Sequence, residues 1–385
     1  MIDFAKRLQT ARERMAAAQI GLLFLMPGAN LFYLTGVMRH EAGGTDHNAW
    51  GDWAVGAYIG LDGPIPLLAP RMGGAFFQTE TGDKRWFDEA RLIQETEDPL
   101  VVMRQTLSRF DLRGQRVALD DRAWAQTVAT FRRLLPDTEF VLASTVLAPM
   151  RMIKDETELA LMRKAGEITE AVFDKALARL KPGVSEFDIA NEIDYQFKVH
   201  GAEYTSFVTG IRFVGPGRGR SDAAARATEK RLTAGDSVTF DFGCVYQGYC
   251  SDFGRSAFVG EPPAEYVKVH ETVLASQRAA MEAMRAGRIT AAEANPIARR
   301  VIEDAGYGPN FTHRLGHGIG VTVHEPPWLD VVDQTVLQAG MTFTVEPSIR
   351  VPDRFGNRVE DVVLVTPGGG ESLYRANHRL YLVEA

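Results

Sequence analysis

The sequence predicts an α/β protein of two domains that meet near residue 150. The chain has 385 residues, which is long for one ordinary domain and suits two. Residues 1–150 alternate short apolar runs with helical patterns, which is typical of a small α/β domain. Beyond them, strand-like runs rich in Val, Phe and Thr alternate with longer helical segments. The predicted domains are therefore 1–150 and 151–385.

The N-terminal domain begins with a predicted amphipathic helix, because Phe4, Leu8, Ala11 and Met15 recur on one helical face. The apolar run 21–25 predicts a strand, and a turn follows at 27–30. The other predicted elements are a strand pair, a further strand and a helix, at 54–61 with 65–68, 116–119 and 123–135.

An acidic stretch, Asp155 to Glu158, marks the start of the second domain and favours a helix N-terminus. Ser185 is the predicted N-cap of the next helix, with Asp188 placed to reach back to it. Strands are predicted at 238–244, 249–259, 341–346 and 358–365, with helices at 264–286 and 291–305.

Composition narrows the class of protein. The net charge of −7 disfavours broad nucleic-acid binding, which normally shows a basic face. The longest apolar run, 20–26, falls far short of the roughly 20 residues that a membrane helix needs. Two cysteines, Cys244 and Cys250, cannot form a disulfide framework, so we expect buried thiols and a cytoplasmic location.

Two acidic residues lie where strands are predicted. In 238–243, Val238, Phe240 and Phe242 share one face, so Asp241 points the other way. A carboxylate in mid-strand is partly desolvated, which is costly unless a cation pairs with it. Asp252 lies beyond a turn, in what is predicted to be the second strand of a hairpin. Two carboxylates at close range do not both ionise readily, and a divalent metal removes that difficulty.

Three more residues complete a candidate metal set. Glu346 ends one alternating strand and Glu360 begins another, while His317 lies between glycines that leave its imidazole open. Four carboxylates and one imidazole favour Mn, Co, Fe or Zn over a thiolate-type site. Each acid alone could be an edge residue or a paired charge, and His317 alone could have no functional role. Their combination within about 120 residues favours a dinuclear metal site.

These five residues lie in motifs that resemble the M24, or pita-bread, metallopeptidase family. Its members include Xaa-Pro dipeptidases (prolidases), aminopeptidase P, methionine aminopeptidase and creatinase. The resemblance covers about residues 150–370, and residues 32–36 are more weakly similar to the creatinase N-terminal domain. The motifs are Asp241-Phe242-Gly243 with Asp252 eleven residues on, Gly316-His317-Gly318-Ile319-Gly320 with Val323-His324-Glu325-Pro326, Val345-Glu346-Pro347, and Val359-Glu360-Asp361.

The resemblance implies a small creatinase-like N-terminal domain, a pita-bread catalytic domain, a homodimer and two divalent metal ions. Asp241 would bind one metal, and His317 with Glu346 the other. Asp252 and Glu360 would bridge the two ions.

The implied reaction is hydrolysis of a C–N bond, by default that of an Xaa-Pro dipeptide. Metals in such a site activate the attacking water and polarise the scissile carbonyl. Glu346 would accept a proton from that water, and His324 would contact the substrate and stabilise the tetrahedral intermediate.

Two positions depart from the family pattern. Prolidases and aminopeptidase P carry a further histidine before the first aspartate, where this chain has Ala224. Arg218 and Arg220 nearby are candidates for binding a substrate carboxylate, and a solvated basic turn is the alternative. The family often has Thr two residues after the second aspartate, where this chain has Gly254. Both departures bear on Xaa-Pro cleavage more than on metal binding.

Three other functions stay open. The missing histidine and the aromatic loop from Trp50 to Trp53 favour hydrolysis of a small non-peptide amide or amidine, as in creatinase or ectoine hydrolase. A lyase related to the family branch that cleaves dimethylsulfoniopropionate would carry two acids around the first ligand, whereas Thr239-Phe240-Asp241 offers one. A non-catalytic binding protein would have lost ligands, and all five positions are intact.

Overall fold

The computed structural model describes residues 2–37, 50–88, 90–217 and 226–385. The chain forms two compact units, Met1–Arg151 and Met152–Ala385. Among the described residues, no helix has the length and apolar character required to span a membrane.

The N-terminal unit is a six-stranded mixed sheet with helices on both faces. Strand β1 is central: it runs antiparallel to β2 and parallel to β5, in the order β4-β3-β2-β1-β5-β6. All six of its residues are buried, because two hydrophobic clusters cover the two faces of the sheet. The strands are β1 (Ile20–Leu25), β2 (Gly56–Gly60), β3 (Leu67–Pro70), β4 (Arg91–Ile93), β5 (Arg116–Leu119) and β6 (Phe140–Leu142). The helices are α1 (Phe4–Ala17), α2 (Ala29–Thr35), α3 (Arg71–Thr81), α4 (Pro99–Leu107), α5 (Ala125–Leu134) and α6 (Ser144–Arg151), with a 3₁₀ turn at Asp52–Ala54.

The structure confirms the predicted first helix, the strand at 21–25 and the strand pair at 54–61 and 65–68. It also confirms the strand at 116–119 and the helix predicted at 123–135. The turn predicted at 27–30 is wrong at its end, because α2 begins at Ala29 directly after Gly28. Gly28 has a φ of 154°, so the chain changes direction at that single glycine, and a four-residue turn is not needed.

The described residues of the C-terminal unit form four helices and several small sheets. Its sheets have the strand orders β11-β10-β7, β20-β12-β9-β8, β14-β13-β15-β18-β19 and β16-β17. The helices are α7 (Glu156–Arg179), α8 (Glu186–Val199), α9 (Ala264–Ala283) and α10 (Ala291–Asp304), with a 3₁₀ turn at Gly308–Asn310. The strands are β7 (Tyr204–Thr205), β8 (Gly210–Val214), β9 (Ser237–Phe242), β10 (Cys244–Tyr246), β11 (Tyr249–Cys250), β12 (Phe253–Val259), β13 (Gly316–Gly318), β14 (Glu325–Leu329), β15 (Thr342–Val345), β16 (Ser348–Val351), β17 (Phe355–Arg358), β18 (Asp361–Val365), β19 (Gly370–Ser372) and β20 (Tyr381–Val383).

Local capping fixes where the helices of this unit begin. The Ser185 hydroxyl accepts a hydrogen bond from the Asp188 amide at 3.0 Å, and the Asp188 carboxylate accepts one from the Ser185 amide at 2.8 Å. The predicted cap of α8 is therefore confirmed. Such a box satisfies two otherwise unpaired amides, and losing an N-cap side chain typically costs about 0.5–2 kcal/mol.

Aromatic packing behind β9 and β12 holds these two strands in place. The ring of Phe173 on α7 meets Phe240 and Phe253 with centroids 5.2 Å apart in both cases. The same ring meets Tyr381 of β20 at 5.0 Å. Because Phe240 faces this core, its neighbour Asp241 must face away from it.

Three predicted strands are interrupted. The stretch 249–259 breaks after Cys250, so that Asp252 lies between β11 and β12. The stretch 358–365 also breaks: β17 ends at Arg358, and Glu360 lies before β18 in an isolated bridge to Gly254. The stretch 238–244 breaks at Gly243, between β9 and β10. Two of the breaks therefore carry acidic residues of the candidate site.

Candidate metal centre

Side chains of β9 point alternately to the core and to a pocket, and Asp241 lines that pocket. Val238, Phe240 and Phe242 are fully buried on the core side, which confirms the predicted face. Strand β12 pairs antiparallel with β9, with Gly254 opposite Asp241. Asp252 directly precedes β12 and also lines this pocket.

Gly254 makes room for the neighbouring acid. A Cβ atom at this position would lie 2.9 Å from both the Cβ and an oxygen of Glu360, and 2.9 Å from the Cδ of Arg358. The backbones of Gly254 and Glu360 also hydrogen bond to each other, at 2.9 and 3.3 Å. The glycine at this position, where the family often has threonine, therefore allows close approach of Glu360 and Arg358.

His317 lies on β13 between two glycines that the packing requires. A Cβ atom at Gly316 would lie 1.9 Å from a backbone oxygen of β15, and one at Gly318 would lie 2.5 Å from a backbone oxygen of β14. Glu346 follows β15, and Glu360 lies between β17 and β18. His317, Glu346 and Glu360 therefore reach the same pocket from three separate segments of the chain.

The five predicted residues come together around a pocket of about 500 Å³. Asp241, Asp252 and Glu360 each offer a carboxylate oxygen, and these oxygens all lie within 4.8 Å of one another. The Nε2 atom of His317 lies 3.6 Å from Oδ2 of Asp252 and 3.5 Å from Oε1 of Glu346. Asp252 therefore belongs to both groups of potential ligands.

The protonation state of His317 suits a metal ligand. Its Nδ1 contacts the Gly318 carbonyl at 3.1 Å, so this nitrogen carries the proton and donates it. Burial, together with the charge of His324, lowers the pKa of His317 to about 3. The ring is therefore neutral near pH 7, and its unprotonated Nε2 faces Asp252 and Glu346.

The acids of the cluster repel one another strongly. Burial, followed by the charges of Asp241 and Glu346, raises the pKa of Asp252 well above its usual value. Burial, followed by the charges of Asp252 and Glu346, does the same to the pKa of Glu360. The Oδ1 atom of Asp252 is buried and has no hydrogen-bond partner among the described residues. Four carboxylates, one neutral imidazole and an unsatisfied buried oxygen fit a site for divalent cations.

Arg358 is a buried cation at this site that no sequence pattern indicated. Its Nη1 lies 2.8 Å from Asp241 and 3.3 Å from Glu360, and its Nη2 lies 3.1 Å from Glu346. Burial alone would raise the pKa of Asp241, but the charges of Arg358, Arg226 and Arg350 lower it overall. Arg358 therefore keeps Asp241 ionised, although one guanidinium does not balance four carboxylates.

Three more arginines line the pocket and were also not predicted. Arg226 forms an ion pair with Asp241 at 3.0 Å and lies 5.4 Å from the centroid of the Phe207 ring. Arg314 lies over the ring of Trp328 at 4.5 Å. Arg350 is the third. The polar and apolar alternation in Ser348-Ile349-Arg350-Val351 is the sequence signal that could have identified it.

Two further histidines line the pocket. His313 donates from Nδ1 to the Arg314 carbonyl at 2.7 Å and accepts at Nε2 from the Ser348 hydroxyl at 2.6 Å. Burial and the charge of Arg358 lower the pKa of His313 to about 3, so it is neutral. The ring of His324, predicted to contact substrate, lies edge-on to the His317 ring, with centroids 4.1 Å apart.

The remaining predicted residues give different outcomes. Arg218, Arg220 and Ala224 lie outside the described residues. Cys244 and Cys250 are buried free thiols, and burial raises the pKa of Cys244 to about 11. Neither is among the described residues that line the pocket.

Comparisons with known proteins agree with this geometry. The model of metallopeptidase family M24 matches residues 160–367, and that of the creatinase/prolidase N-terminal domain matches residues 7–153. The chain is 38% identical to an Xaa-Pro dipeptidase of Pyrococcus horikoshii over 242 residues, which are 63% of this chain and 68% of that protein.

Solved structures extend the similarity over the whole chain. A prolidase from Thermococcus sibiricus superposes with a TM-score of 0.88 and 29% identity, covering 100% of both chains. Dipeptidase PepE from Mycobacterium ulcerans superposes with a TM-score of 0.84 and 29% identity, covering 99% of this chain and 98% of that one. This chain belongs to metallopeptidase family M24, with a creatinase/prolidase-type N-terminal domain, and is a hydrolase.

Proposed function

We propose that this protein is an Xaa-Pro dipeptidase that works with two divalent metal ions. The observation that carries the proposal is the convergence of four acids and one neutral imidazole on a single pocket, with a buried Asp252 oxygen that lacks a hydrogen-bond partner among the described residues. The names of the relatives support the substrate class, because both an Xaa-Pro dipeptidase and a prolidase match this chain over most of their length.

The proposed ligands divide into two overlapping sets. The 4.8 Å grouping of Asp241, Asp252 and Glu360 supports one ion. The approach of His317 to Asp252 and Glu346 supports the other ion. On the family resemblance, Asp252 and Glu360 would each contribute to both ions. Hard oxygen ligands with one imidazole are compatible with Mn, Co, Fe or Zn, and we propose manganese as the first metal to test.

The protein side chains supply binding and proton transfer. Metal ions held here would polarise the scissile carbonyl and lower the pKa of the attacking water. Glu346 is the proposed base, and burial raises its pKa, which favours acceptance of a proton near neutral pH. His324 is the proposed donor to the oxygen of the tetrahedral intermediate, since it is exposed in the pocket beside His317.

Substrate recognition leaves a second candidate function. The stretch before Asp241 holds Ala224 and no histidine, which favours a small non-peptide amide or amidine over an Xaa-Pro peptide. A clamp on a substrate carboxylate by Arg218 or Arg220 remains a prediction. Slow turnover of Xaa-Pro dipeptides with faster turnover of small amides would favour this second function.

Two further proposals concern the setting of the enzyme. We place it in the cytoplasm, supported by two buried free thiols in place of a disulfide. The homodimer is proposed from the family resemblance, and the sedimentation of the purified protein tests it.

Metal analysis combined with an activity panel tests the proposed function. The parent should contain about two divalent ions per chain and hydrolyse Xaa-Pro dipeptides in preference to other dipeptides and small cyclic amides. Asp252→Asn and Glu360→Gln should each lose activity and more than one ion, because a bridging ligand serves both metals. Glu371→Gln removes an exposed strand acid of the same unit and should change neither. Two ions per chain in both site variants would contradict the ligand assignment.

A further inference from the structure

The β16–β17 hairpin presents a polar face to the pocket. Ser348 pairs with Arg358 and Arg350 pairs with Gly356, so these residues lie on one face. Ile349, between Ser348 and Arg350, points to the other face of the hairpin and is fully buried in a hydrophobic cluster. Since Arg350 is the diagonal neighbour of Arg358, their Cα atoms should be about 7–8 Å apart. A partner without a side chain, Gly356, leaves Arg350 uncrowded on this face.

Arg350 differs from the other arginines of the pocket in its contacts. Arg358 and Arg226 form ion pairs with acids, and Arg314 stacks on a tryptophan ring. The guanidinium of Arg350 has no hydrogen bond or ion pair with any of the residues in 2–37, 50–88, 90–217 and 226–385. Arg350 lines the pocket and is exposed to solvent.

The electrostatic surroundings of Arg350 favour binding of an anion. Partial desolvation by the surrounding pocket side chains, together with the charge of Arg358, lowers the pKa of Arg350 to about 10, so this solvent-accessible guanidinium stays charged at neutral pH. The lining contains five acidic side chains and four arginines. Once two divalent ions offset the acids, the arginines give the pocket an excess of positive charge. A neutral substrate would leave that excess unbalanced in a partly desolvated site.

We propose that Arg350 binds a carboxylate of the substrate and thereby makes the enzyme prefer carboxylate-bearing substrates. The inference rests on the proposed function for the position of the scissile bond. In a dipeptide, only the amide nitrogen and one Cα separate the scissile carbonyl carbon from the terminal carboxyl carbon. Arg350 lies on the same hairpin face as Arg358, which contacts Asp241 and Glu346, so the long Arg350 side chain suits an anion held near the acid cluster. The planar fork of arginine matches the two oxygens of a carboxylate.

The carboxylate has two possible sources, the C-terminus of a dipeptide or an acidic side chain. Three substrates distinguish them with the metal-loaded enzyme: Ala-Pro, Ala-Pro amide, and Glu-Pro amide, whose only carboxylate is in the side chain. Arg350→Gln should lower kcat/KM about ten- to a hundredfold for the carboxylate-bearing substrate that the parent prefers, mainly through KM. The variant should leave Ala-Pro amide nearly unchanged, so the parent's preference between the acid and the amide should disappear.

Arg354→Gln is the matched control. Arg354 belongs to the same hairpin, but it forms an exposed ion pair with Glu265 away from the pocket. Its loss should leave the preference for the carboxylate intact. Arg350→Lys retains the charge without the fork and should fall between parent and Arg350→Gln. Thermal unfolding and metal content show whether each variant is folded and loaded.

Calorimetric binding of proline and prolinamide separates this inference from the proposed function. If the parent cleaves none of the three substrates, the proposed function fails, while tighter binding of proline that Arg350→Gln removes would still support the anion site. Equal loss of turnover on Ala-Pro and its amide in Arg350→Gln would overturn the role of Arg350. Unchanged discrimination between proline and prolinamide in that variant would overturn it as well.

Discussion

The Nη1 atom of Arg358 lies 2.8 Å from Oδ2 of Asp241, and both side chains line the same pocket. The other branch of the guanidinium reaches Glu346 at 3.1 Å. Burial alone would lower the pKa of Arg358, but the charges of Asp241, Glu360 and Glu346 raise it. Arg358 therefore supplies a permanent positive charge among these acids. Without it, and without bound metal, the acids would repel one another strongly.

Replacing Arg358 by methionine should destabilise the metal-free protein. The change keeps an aliphatic stem but leaves Asp241 and Glu346 without their buried partner, and breaking such a pair typically costs about 3–5 kcal/mol. Urea unfolding of the metal-free form measures the loss. Saturating metal should restore part of it, because divalent ions bind the same acids. Arg354→Met, which breaks an exposed pair, should cost less than about 1 kcal/mol. Equal stabilities for the two variants would exclude this role of Arg358.

The crowding of acids also predicts a pH dependence for the metal-free protein. The pKa of Asp252 is raised by burial and by its acidic neighbours, so the folded state holds a proton that the unfolded state releases. The folded state is therefore penalised as the pH rises from the ordinary carboxyl pKa near about 4 through the raised value. Below that window the penalty is absent.

Asp252→Asn removes this penalty without changing the size of the side chain. The metal-free variant should therefore be more stable than the metal-free parent at pH 7, and the gain should vanish near pH 4. Chemical unfolding of both proteins across that range, in the presence of a chelator, measures the difference. A variant that is less stable than the parent at pH 7 would show that mutual repulsion does not dominate at Asp252.

The position of Asp241 could be predicted because apolar and polar residues alternate along its strand in the sequence. Val238, Phe240 and Phe242 share the buried face, so Asp241 lies on the opposite face. This inference does not depend on which strands neighbour β9. The N-cap at Ser185 could be predicted for a similar reason, since its contacts span three residues. Sequence patterns capture such short-range relationships well.

Long-range pairing explains what could not be predicted. Arg358 seemed to begin a strand that continued to residue 365, whereas it ends the hairpin strand β17. That hairpin places Arg350 and Arg358 on one face, and the pairing of Gly254 with Glu360 joins positions 106 residues apart. Helices α3 and α4 in the N-terminal unit were missed, because tertiary contacts override weak local patterns.

His324→Ala should separate turnover from metal binding. The imidazole lies beside His317, and the proposal gives it contact with the substrate oxygen and not with the metals. Removing one such donor typically lowers kcat about 10²–10³-fold. Metal content should hold, as measured on the same preparation. His200→Ala removes an imidazole at the end of α8 and should leave both quantities unchanged. Loss of metal with activity in His324→Ala would make His324 a ligand or a support for the ligands.

Glu325, which directly follows His324 in the chain, forms a buried ion pair with Lys154. Lys154 Nζ lies 2.8 Å from Oε1 of Glu325, and the two side chains are only 2% and 4% exposed. Gly320 lets the pair form, because a Cβ there would lie 2.8 Å from the same glutamate oxygen and 3.0 Å from the lysine Cε. The pair therefore joins the segment before α7 to the start of β14, directly after His324.

Lys154→Met should destabilise the protein by about 3–5 kcal/mol, because it leaves Glu325 as a buried charge without its lysine. Adding Glu325→Gln should recover much of that loss, since the amide keeps the shape and removes the charge. Urea unfolding of the parent, both single variants and the double variant gives the coupling energy. Lys164→Met, in an exposed pair with Glu167, should cost less than about 0.5 kcal/mol. Because Glu325 neighbours His324, kcat should fall in Lys154→Met and partly recover in the double variant. Additive losses in the four-protein cycle would mean that the two side chains act independently and that the pair does not hold His324 in place.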